Sequence, residues 1–124
     1  MVRYGNDAAE YLSPSNPGAL CLFGGHVEDG EAVIAGLVRE LREELGAEVA
    51  PREVHRIGSV TEAFTKHTEI VHVFFWYDQR GDITGCYEGA AETFDQVSDA
   101  LADQKLMDYA AWPLTEARSK DFIS

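Results

Sequence analysis

The chain has 124 residues, enough for one domain with a hydrophobic core and too few for two ordinary domains. Hydrophobic residues make up 45% and charged residues 26%, as is usual for a globular protein. Ten Lys and Arg against 22 Asp and Glu give a formal net charge of −12. This balance excludes sequence-independent binding to a nucleic acid polymer, because such binding needs a basic surface.

The sequence shows no signal for export, membrane insertion or cross-linking. Met1 to Tyr4 is followed by polar residues rather than by the apolar segment of a secretory signal. The longest apolar run, 71–77, is too short to cross a bilayer. Cys21 and Cys86 lie far apart and neither belongs to a CxxC pair, so no disulfide framework or zinc site is predicted. We therefore expect a cytoplasmic protein that does not associate with a membrane.

In chain order, the apolar pattern predicts an α/β or α+β domain. Residues 1–18 are rich in turn formers, and a short strand is expected at 19–23. A helix is predicted over about 31–45, ended by Gly46, with a buried stripe at Ile34, Leu37, Leu41 and Leu45. The later elements are strands at 55–64 and 70–77 joined by a hairpin turn, strands at 83–87 and 92–94, a helical turn at 98–102 and a helix over 108–122. Pro113 is compatible with that last helix only if it lies in the first turn or two.

The first helix carries an unusual acidic group. Glu40, Glu43 and Glu44 stand at positions i, i+3 and i+4, so their carboxylates project from one face within one turn. Such like charges repel one another, and a hard divalent cation such as Mg²⁺, which takes oxygen ligands, removes that penalty. The alternative is a plain solvated surface on which Arg39 and Arg42 make ordinary pairs along the helix.

Residues 25–47, with the sequence GHVEDGEAVIAGLVRELREELGA, decide between these alternatives. Their spacing resembles the signature of the Nudix (MutT-like) hydrolases without a gap: Gly25, five residues, Glu31, seven residues, Arg39-Glu40-Leu41, one residue, Glu43-Glu44, one residue, Gly46-Ala47. The resemblance implies a single Nudix domain over 1–124, folded as an α/β/α sandwich around a mixed sheet. It also implies Mg²⁺-dependent hydrolysis of a nucleoside diphosphate linked to another moiety, by a metal-activated water.

The resemblance assigns roles to the residues of this box. Glu40, Glu43 and Glu44 would bind Mg²⁺ or Mn²⁺, and the catalytic residues would be Glu43, Glu40 and Arg39. Arg39 would orient the carboxylates together with Glu31, and one glutamate, in the box or on a later loop, would accept the proton of the attacking water. Gly25 would let the backbone approach the metal and the phosphates. Gly24, Gly46 and Glu31 would support the site.

Candidates outside that helix are less specific. Glu88, in Cys86-Tyr87-Glu88-Gly89, is the predicted additional metal ligand, with Glu92 as its rival and ordinary surface acids as the alternative. His26 could bind a phosphate or simply face solvent. Phe64 and Trp76 could stack on a base or belong to the core.

Two alternatives concern the whole chain. Only 24 residues precede Gly25, so the N-terminal hairpin is expected to be shortened. A shortened hairpin would leave an exposed sheet edge, which a second subunit could cover in a homodimer. A truncated start is the other possibility. The second alternative is a nucleotide-binding module without catalysis, but every box carboxylate is present.

Marks of several substrate subtypes are missing, which leaves nucleoside triphosphates and nucleotide sugars as the expected substrates.

Overall fold

The computed structural model describes residues 2–4, 9–12, 22–23, 25, 27–61, 66–78, 80–85, 87, 92–94 and 96–123. Five strands and three helices lie in these ranges, together with a 3₁₀ turn at Pro51–Glu53. The strands are β1 (Val2–Tyr4), β2 (Ala9–Leu12), β3 (Val54–Thr61), β4 (Ile70–Asp78) and β5 (Glu92–Phe94). The helices are α1 (Val33–Leu45), α2 (Val97–Leu101) and α3 (Asp108–Ser119). None of the described helices is long and apolar enough to cross a membrane.

The strands form one mixed sheet in the order β3-β4-β1-β2-β5. β1 runs parallel to β4, and the other pairs are antiparallel. β1 and β2 pair as a short antiparallel ladder, and β1 has a neighbour on both sides. The expectation of an exposed edge at the N-terminal strand was therefore wrong, because β4 covers its other side. The predicted homodimer loses that argument and stays a prediction.

The sheet lies between two helical layers, as the resemblance implied. Side chains alternate between the two faces of a strand, and β4 sends Trp76 to one face and Phe75 to the other. On the first face Trp76 packs with α1 through Leu41 and Leu45. On the second face Phe75 packs with α2 and α3, through residues such as Leu114. The α/β/α sandwich is confirmed.

In the N-terminal half, the end of α1 agrees with its prediction, whereas one residue of its buried stripe and the strand before it do not. α1 ends at Leu45 and is followed by Gly46 in the left-handed conformation, with φ 64°, as predicted. Ile34 was expected in the buried stripe but is 37% exposed. Leu22 and Phe23 are not in a strand, and the rest of the predicted strand 19–23 lies outside the described residues.

The C-terminal half follows the predictions more closely, with one exception. β4 matches the predicted strand, and the turn between β3 and β4 has positive φ at Lys66 and His67. The expected strand at 83–87 was wrong, since residues 83–85 and 87 have no strand structure. α3 contains Pro113 as the sixth of its twelve residues, within the second turn, and a proline there has no N–H to donate to the carbonyl four residues earlier.

Candidate active site

Arg39 organises the acidic face of α1. Its Nε lies 2.9 Å from Glu31 Oε2, and its Nη2 lies 3.1 Å from Glu31 Oε1, so the guanidinium and the carboxylate form a two-point pair. The backbone amide of Glu28 donates a third hydrogen bond to Glu31 Oε1 at 3.1 Å. These bonds, that of Arg39 above all, hold the pKa of Glu31 below its usual value. Charge-assisted pairs of this geometry fix orientation as well as distance.

The remaining nitrogen of Arg39 joins two carboxylates that were predicted to bind metal. Nη1 lies 3.0 Å from Glu40 Oε1 and 3.3 Å from Glu43 Oε2. The side chain of Glu40 is 13% exposed, whereas that of Glu43 is 47% exposed. The two carboxylates therefore converge on one point, and Glu43 is the one that solvent and a ligand reach most easily.

Glycines permit this arrangement at two places. A Cβ atom at Gly25 would collide with the carboxylate of Glu40, for example at 2.7 Å from Oε2. A Cβ atom at Gly36, inside α1, would lie 2.8 Å from Glu31 Oε1. Real Cβ atoms do not approach oxygen so closely, so both positions need glycine while the carboxylates stay where they are.

Glu44 differs from its neighbours. It was expected on an outward acidic face, but it is buried, with 8% of its surface exposed. The backbone amide of Tyr87 donates to the carbonyl oxygen of Glu44 at 2.7 Å, and that of Thr84 donates to Leu45 O at 2.9 Å. Thr84 and Tyr87 thus cover the C-terminal end of α1 and satisfy carbonyls that have no partner within the helix.

The family of the chain follows from its similarity to a known protein domain. The model of the NUDIX domain matches residues 8–118, which is most of the chain. The chain belongs to the Nudix family. It is accordingly a Nudix hydrolase, a member of a family whose enzymes act on nucleoside diphosphate derivatives. No curated protein matches the chain significantly in sequence.

Solved structures share the Nudix fold. The MutT protein from Methanosarcina mazei Go1 superimposes with a TM-score of 0.72 at 22% identity, covering 98% of this chain and 90% of that one. The ORF135 protein of E. coli gives a TM-score of 0.69 at 24% identity, with 97% and 86% covered. A single-site mutant of the Bacillus subtilis pyrophosphohydrolase BsRppH gives 0.66 at 15% identity, with 100% and 81% covered. At these identities the likeness concerns the fold alone.

The Nudix box suits a divalent cation by its chemistry. Carboxylate oxygens are the ligands that Mg²⁺ prefers, and the backbone at Gly25 leaves room for the Glu40 carboxylate. In the described parts of the chain, however, no three His, Cys, Asp or Glu side chains already surround a common point that could hold a metal. Arg39 instead occupies the point between Glu40 and Glu43. Nη1 uses one oxygen of each carboxylate, and a carboxylate has two, so a cation can bind Glu40 and Glu43 beside Arg39.

Gly24, His26, Phe64 and Glu88 lie outside the described residues. Trp76 is 2% exposed and belongs to the core, so its alternative as a base-stacking residue was wrong.

Sequence reasoning also missed residues that support the box. Gly36 gave a signal that was not used, since a glycine inside a helix weakens it and usually has a packing reason. Thr84 and Tyr87 gave none, because only the folded chain brings them to α1.

A separate pocket of about 180 Å³ lies where β3 begins and β4 ends. Arg80 pairs there with Glu53 at 2.7 Å and with Asp82 at 2.8 Å, and Trp76 Nε1 donates to Glu53 at 3.3 Å. These bonds, that of Arg80 above all, lower the pKa of Glu53. Arg80, Glu53 and Asp82 are therefore paired with one another, and Asp78 accepts hydrogen bonds from the backbone amides of Asp82 and Ile83.

Proposed function

We propose that this chain catalyses Mg²⁺-dependent hydrolysis of a nucleoside diphosphate linked to another moiety, with Mn²⁺ as a possible substitute. One observation carries the proposal: a single guanidinium, that of Arg39, holds Glu31, Glu40 and Glu43 together beside the glycine backbone at Gly25. A solvated helix surface does not need such an arrangement. Glu40 and Glu43 each accept from Nη1 through one oxygen, so each carboxylate can offer its other oxygen to a metal.

Glu40 and Glu43 are the proposed metal ligands, with Glu44 as the third. Bound Mg²⁺ would polarise the diphosphate and lower the pKa of a coordinated water. Arg39 would remain bound to Glu31 through Nε and Nη2 and to one oxygen each of Glu40 and Glu43 through Nη1, so it would hold both carboxylates in position. Glu44 would bind from a buried position, since only 8% of its surface is exposed.

A glutamate would take the proton of the attacking water, and Glu43 is the accessible candidate in the box. Glu88 is proposed as the additional metal ligand. Its chain neighbour Tyr87 is held against the carbonyl oxygen of Glu44 at 2.7 Å, and consecutive Cα atoms are about 3.8 Å apart. Tyr87, the residue before Glu88 in the chain, therefore lies at the end of α1.

The proposed substrates are nucleoside triphosphates and nucleotide sugars. One similar fold belongs to a protein described as a pyrophosphohydrolase. The net charge of −12 repels a free anion, so such a substrate would arrive with its cation. We further propose a cytoplasmic enzyme that binds neither a membrane nor a nucleic acid polymer, and that forms a homodimer, which gel filtration with light scattering would test.

The decisive variant is Glu43→Gln, which keeps the size of the side chain and removes its charge. Purified protein would be incubated with triphosphates, nucleotide sugars and dinucleotides, with Mg²⁺, with Mn²⁺ and with chelator, and released phosphate and pyrophosphate would be measured. We expect chelator-sensitive turnover, reduced in Glu43→Gln by about a hundredfold or more, in the range found for single catalytic groups.

The matched control is Glu48→Gln. Glu48 pairs with Arg42 at 3.0 Å on the exposed surface and lies just beyond α1, so its turnover should equal that of the unaltered protein. Full activity in Glu43→Gln would refute this assignment of the site. Silence of the folded protein across the whole panel would favour the alternative, a Nudix-fold module that binds a nucleotide without hydrolysing it.

A further inference from the structure

A polar cluster outside the box lies on the α1 side of the sheet. The cluster consists of Arg56 and Ser59 on β3 and His72 on β4, and all three are exposed. Arg56 Nη2 donates to Ser59 Oγ at 2.6 Å, and Ser59 Oγ lies 3.2 Å from His72 Nδ1. The guanidinium carbon of Arg56 lies 5.8 Å from the ring centroid of Phe74, which is buried beneath it. The guanidinium is therefore held in one orientation before any ligand arrives.

A β-bulge brings these residues together. Arg56 is opposite Phe74 and Ser59 is opposite His72, with a register shift between Arg56 and Gly58 that makes Ile57 the extra residue. Residues three apart in a regular strand point to opposite faces, so Arg56 and Ser59 share a face only because of this bulge. Bulges commonly redirect side chains next to active sites.

The bulge is fixed from the other side of the sheet. Ile57 is buried among the residues that pack against α2 and α3. A Cβ atom at Gly58 would lie 2.7 Å from Trp112 Cη2, so glycine lets the indole of α3 pack against the bulge in its observed position. The clustering of Arg56 with Ser59 is therefore a property of the packed fold.

Arg56 differs in charge environment from three arginines of the molecule, whereas Arg52 and Arg118 likewise form no salt bridge among the described residues. Arg39, Arg42 and Arg80 each pair with carboxylates. Among the described residues, no carboxylate oxygen lies within 4.0 Å of Arg56, although acidic residues exceed basic ones by twelve in the whole chain. Its hydrogen-bond partners Ser59 and His72 carry no negative charge, which leaves donors available for an oxyanion.

The cluster begins one row beyond the part of the sheet that α1 covers. Val54 and Trp76 are opposite each other and pack beneath α1. Arg56 and Phe74 form the next row on the same face, about 7 Å further along the strands. A substrate whose diphosphate meets the carboxylates of α1 could extend over this face.

We propose that Arg56, positioned by Ser59 and His72, binds a phosphoryl group of the substrate beyond the diphosphate that is hydrolysed. The inference rests on the proposed function and deepens it. Arg56 thereby makes the enzyme prefer nucleoside triphosphates to nucleotide sugars with an uncharged sugar, which have no further anionic group.

The test compares Arg56→Gln, Arg56→Lys and the control Arg118→Gln, an exposed arginine in the last turn of α3. KM and kcat would be measured with the four dNTPs and with UDP-glucose. A charge-assisted hydrogen bond corresponds to about a ten- to hundredfold change in affinity, so KM for dNTPs should rise by that factor in Arg56→Gln. The Lys variant should recover part of the loss, and kcat, KM for UDP-glucose and the control should not change.

Binding measured without turnover separates this inference from the proposed function. Calorimetric titration of a dNTP and of UDP-glucose, with Ca²⁺ in place of Mg²⁺, gives the two affinities directly. Weaker dNTP binding in Arg56→Gln supports the inference even if the unaltered protein hydrolyses nothing. Unchanged dNTP affinity, or an equal loss for UDP-glucose, overturns it even if the protein proves to be an active hydrolase.

Discussion

Arg39 offers five N–H donors in a rigid planar fork, and three carboxylates use them. The two-point contact with Glu31 uses Nε and Nη2, while Nη1 is shared by Glu40 and Glu43. Lysine would offer one compact charge and could not hold the same three groups in a plane. The role proposed for Arg39 is therefore one of positioning, and Glu31 is the partner that keeps the fork in place.

The pair between Glu31 and Arg39 predicts a pH dependence of stability. Because the folded pKa of Glu31 is lowered from 4.5, its pairing stabilises the fold above that pH and is lost as the pH falls through the folded pKa. Glu31→Gln should therefore lower the melting temperature at pH 7, and the difference from the unaltered protein should shrink progressively below pH 4.5. A difference that stayed constant from neutral pH down to well below the folded pKa would contradict the pairing.

At the scale of secondary structure, the C-terminal end of α1 joins the box to the segment 84–87. Gly46 has φ 64°, which costs an L-residue about 1–2 kcal/mol. A Cβ atom there would also collide with Thr84 Oγ1 and lie 2.9 Å from Tyr87 Cε2. Gly30 has a similar φ of 78°, but a Cβ atom there would have nothing within 4 Å.

Gly46→Ala and Gly30→Ala consequently form a matched pair. Both replacements add backbone strain, while only Gly46→Ala disturbs the docking of residues 84–87. Urea denaturation should show a loss of about 1–2 kcal/mol for Gly30→Ala and a clearly larger loss for Gly46→Ala. Equal losses would mean that the segment does not depend on close contact with α1.

Elements with a local pattern could be predicted from the sequence, whereas those created by tertiary contacts could not. The apolar spacing and Gly46 gave the end of α1, and β-branched and aromatic residues gave β4. Residues 83–87 have an apolar character that favours a strand, yet Thr84 and Tyr87 direct their amides to the carbonyls of α1. No local signal reports that choice of partner.

The same distinction applies to the site. Spacing placed Glu40, Glu43 and Glu44 on one face of a helix, and the pairing of Arg39 with Glu31 follows the expectation from the resemblance. The burial of Glu44 and the bulge that groups Arg56 with Ser59 depend on chain segments far away in sequence. Periodicity describes one element at a time and cannot supply such information.

At the scale of the whole molecule, β4 supplies side chains to both helical layers. Trp76 packs with Leu41 and Leu45 beneath α1, and Phe75 packs with Leu114 beneath α3. If either helical layer detached, the face of β4 that it covers would become exposed to solvent. We therefore expect the two layers to unfold together in one cooperative transition.

This cooperativity can be tested with the two tryptophans of the chain. In a Trp112→Phe background, Trp76 fluorescence reports the α1 layer, and far-UV circular dichroism reports the whole fold. Leu114→Ala empties a fully buried position on the opposite side and should cost about 2–5 kcal/mol. The urea midpoint of Leu114→Ala should fall by the same amount in fluorescence and in circular dichroism. The control is Val27→Ala, at a position 45% exposed, which should change the free energy of unfolding by at most about 0.5 kcal/mol. If Leu114→Ala left the Trp76 transition in place while the dichroism changed early, the layers would be independent, and the shared strand would not couple them.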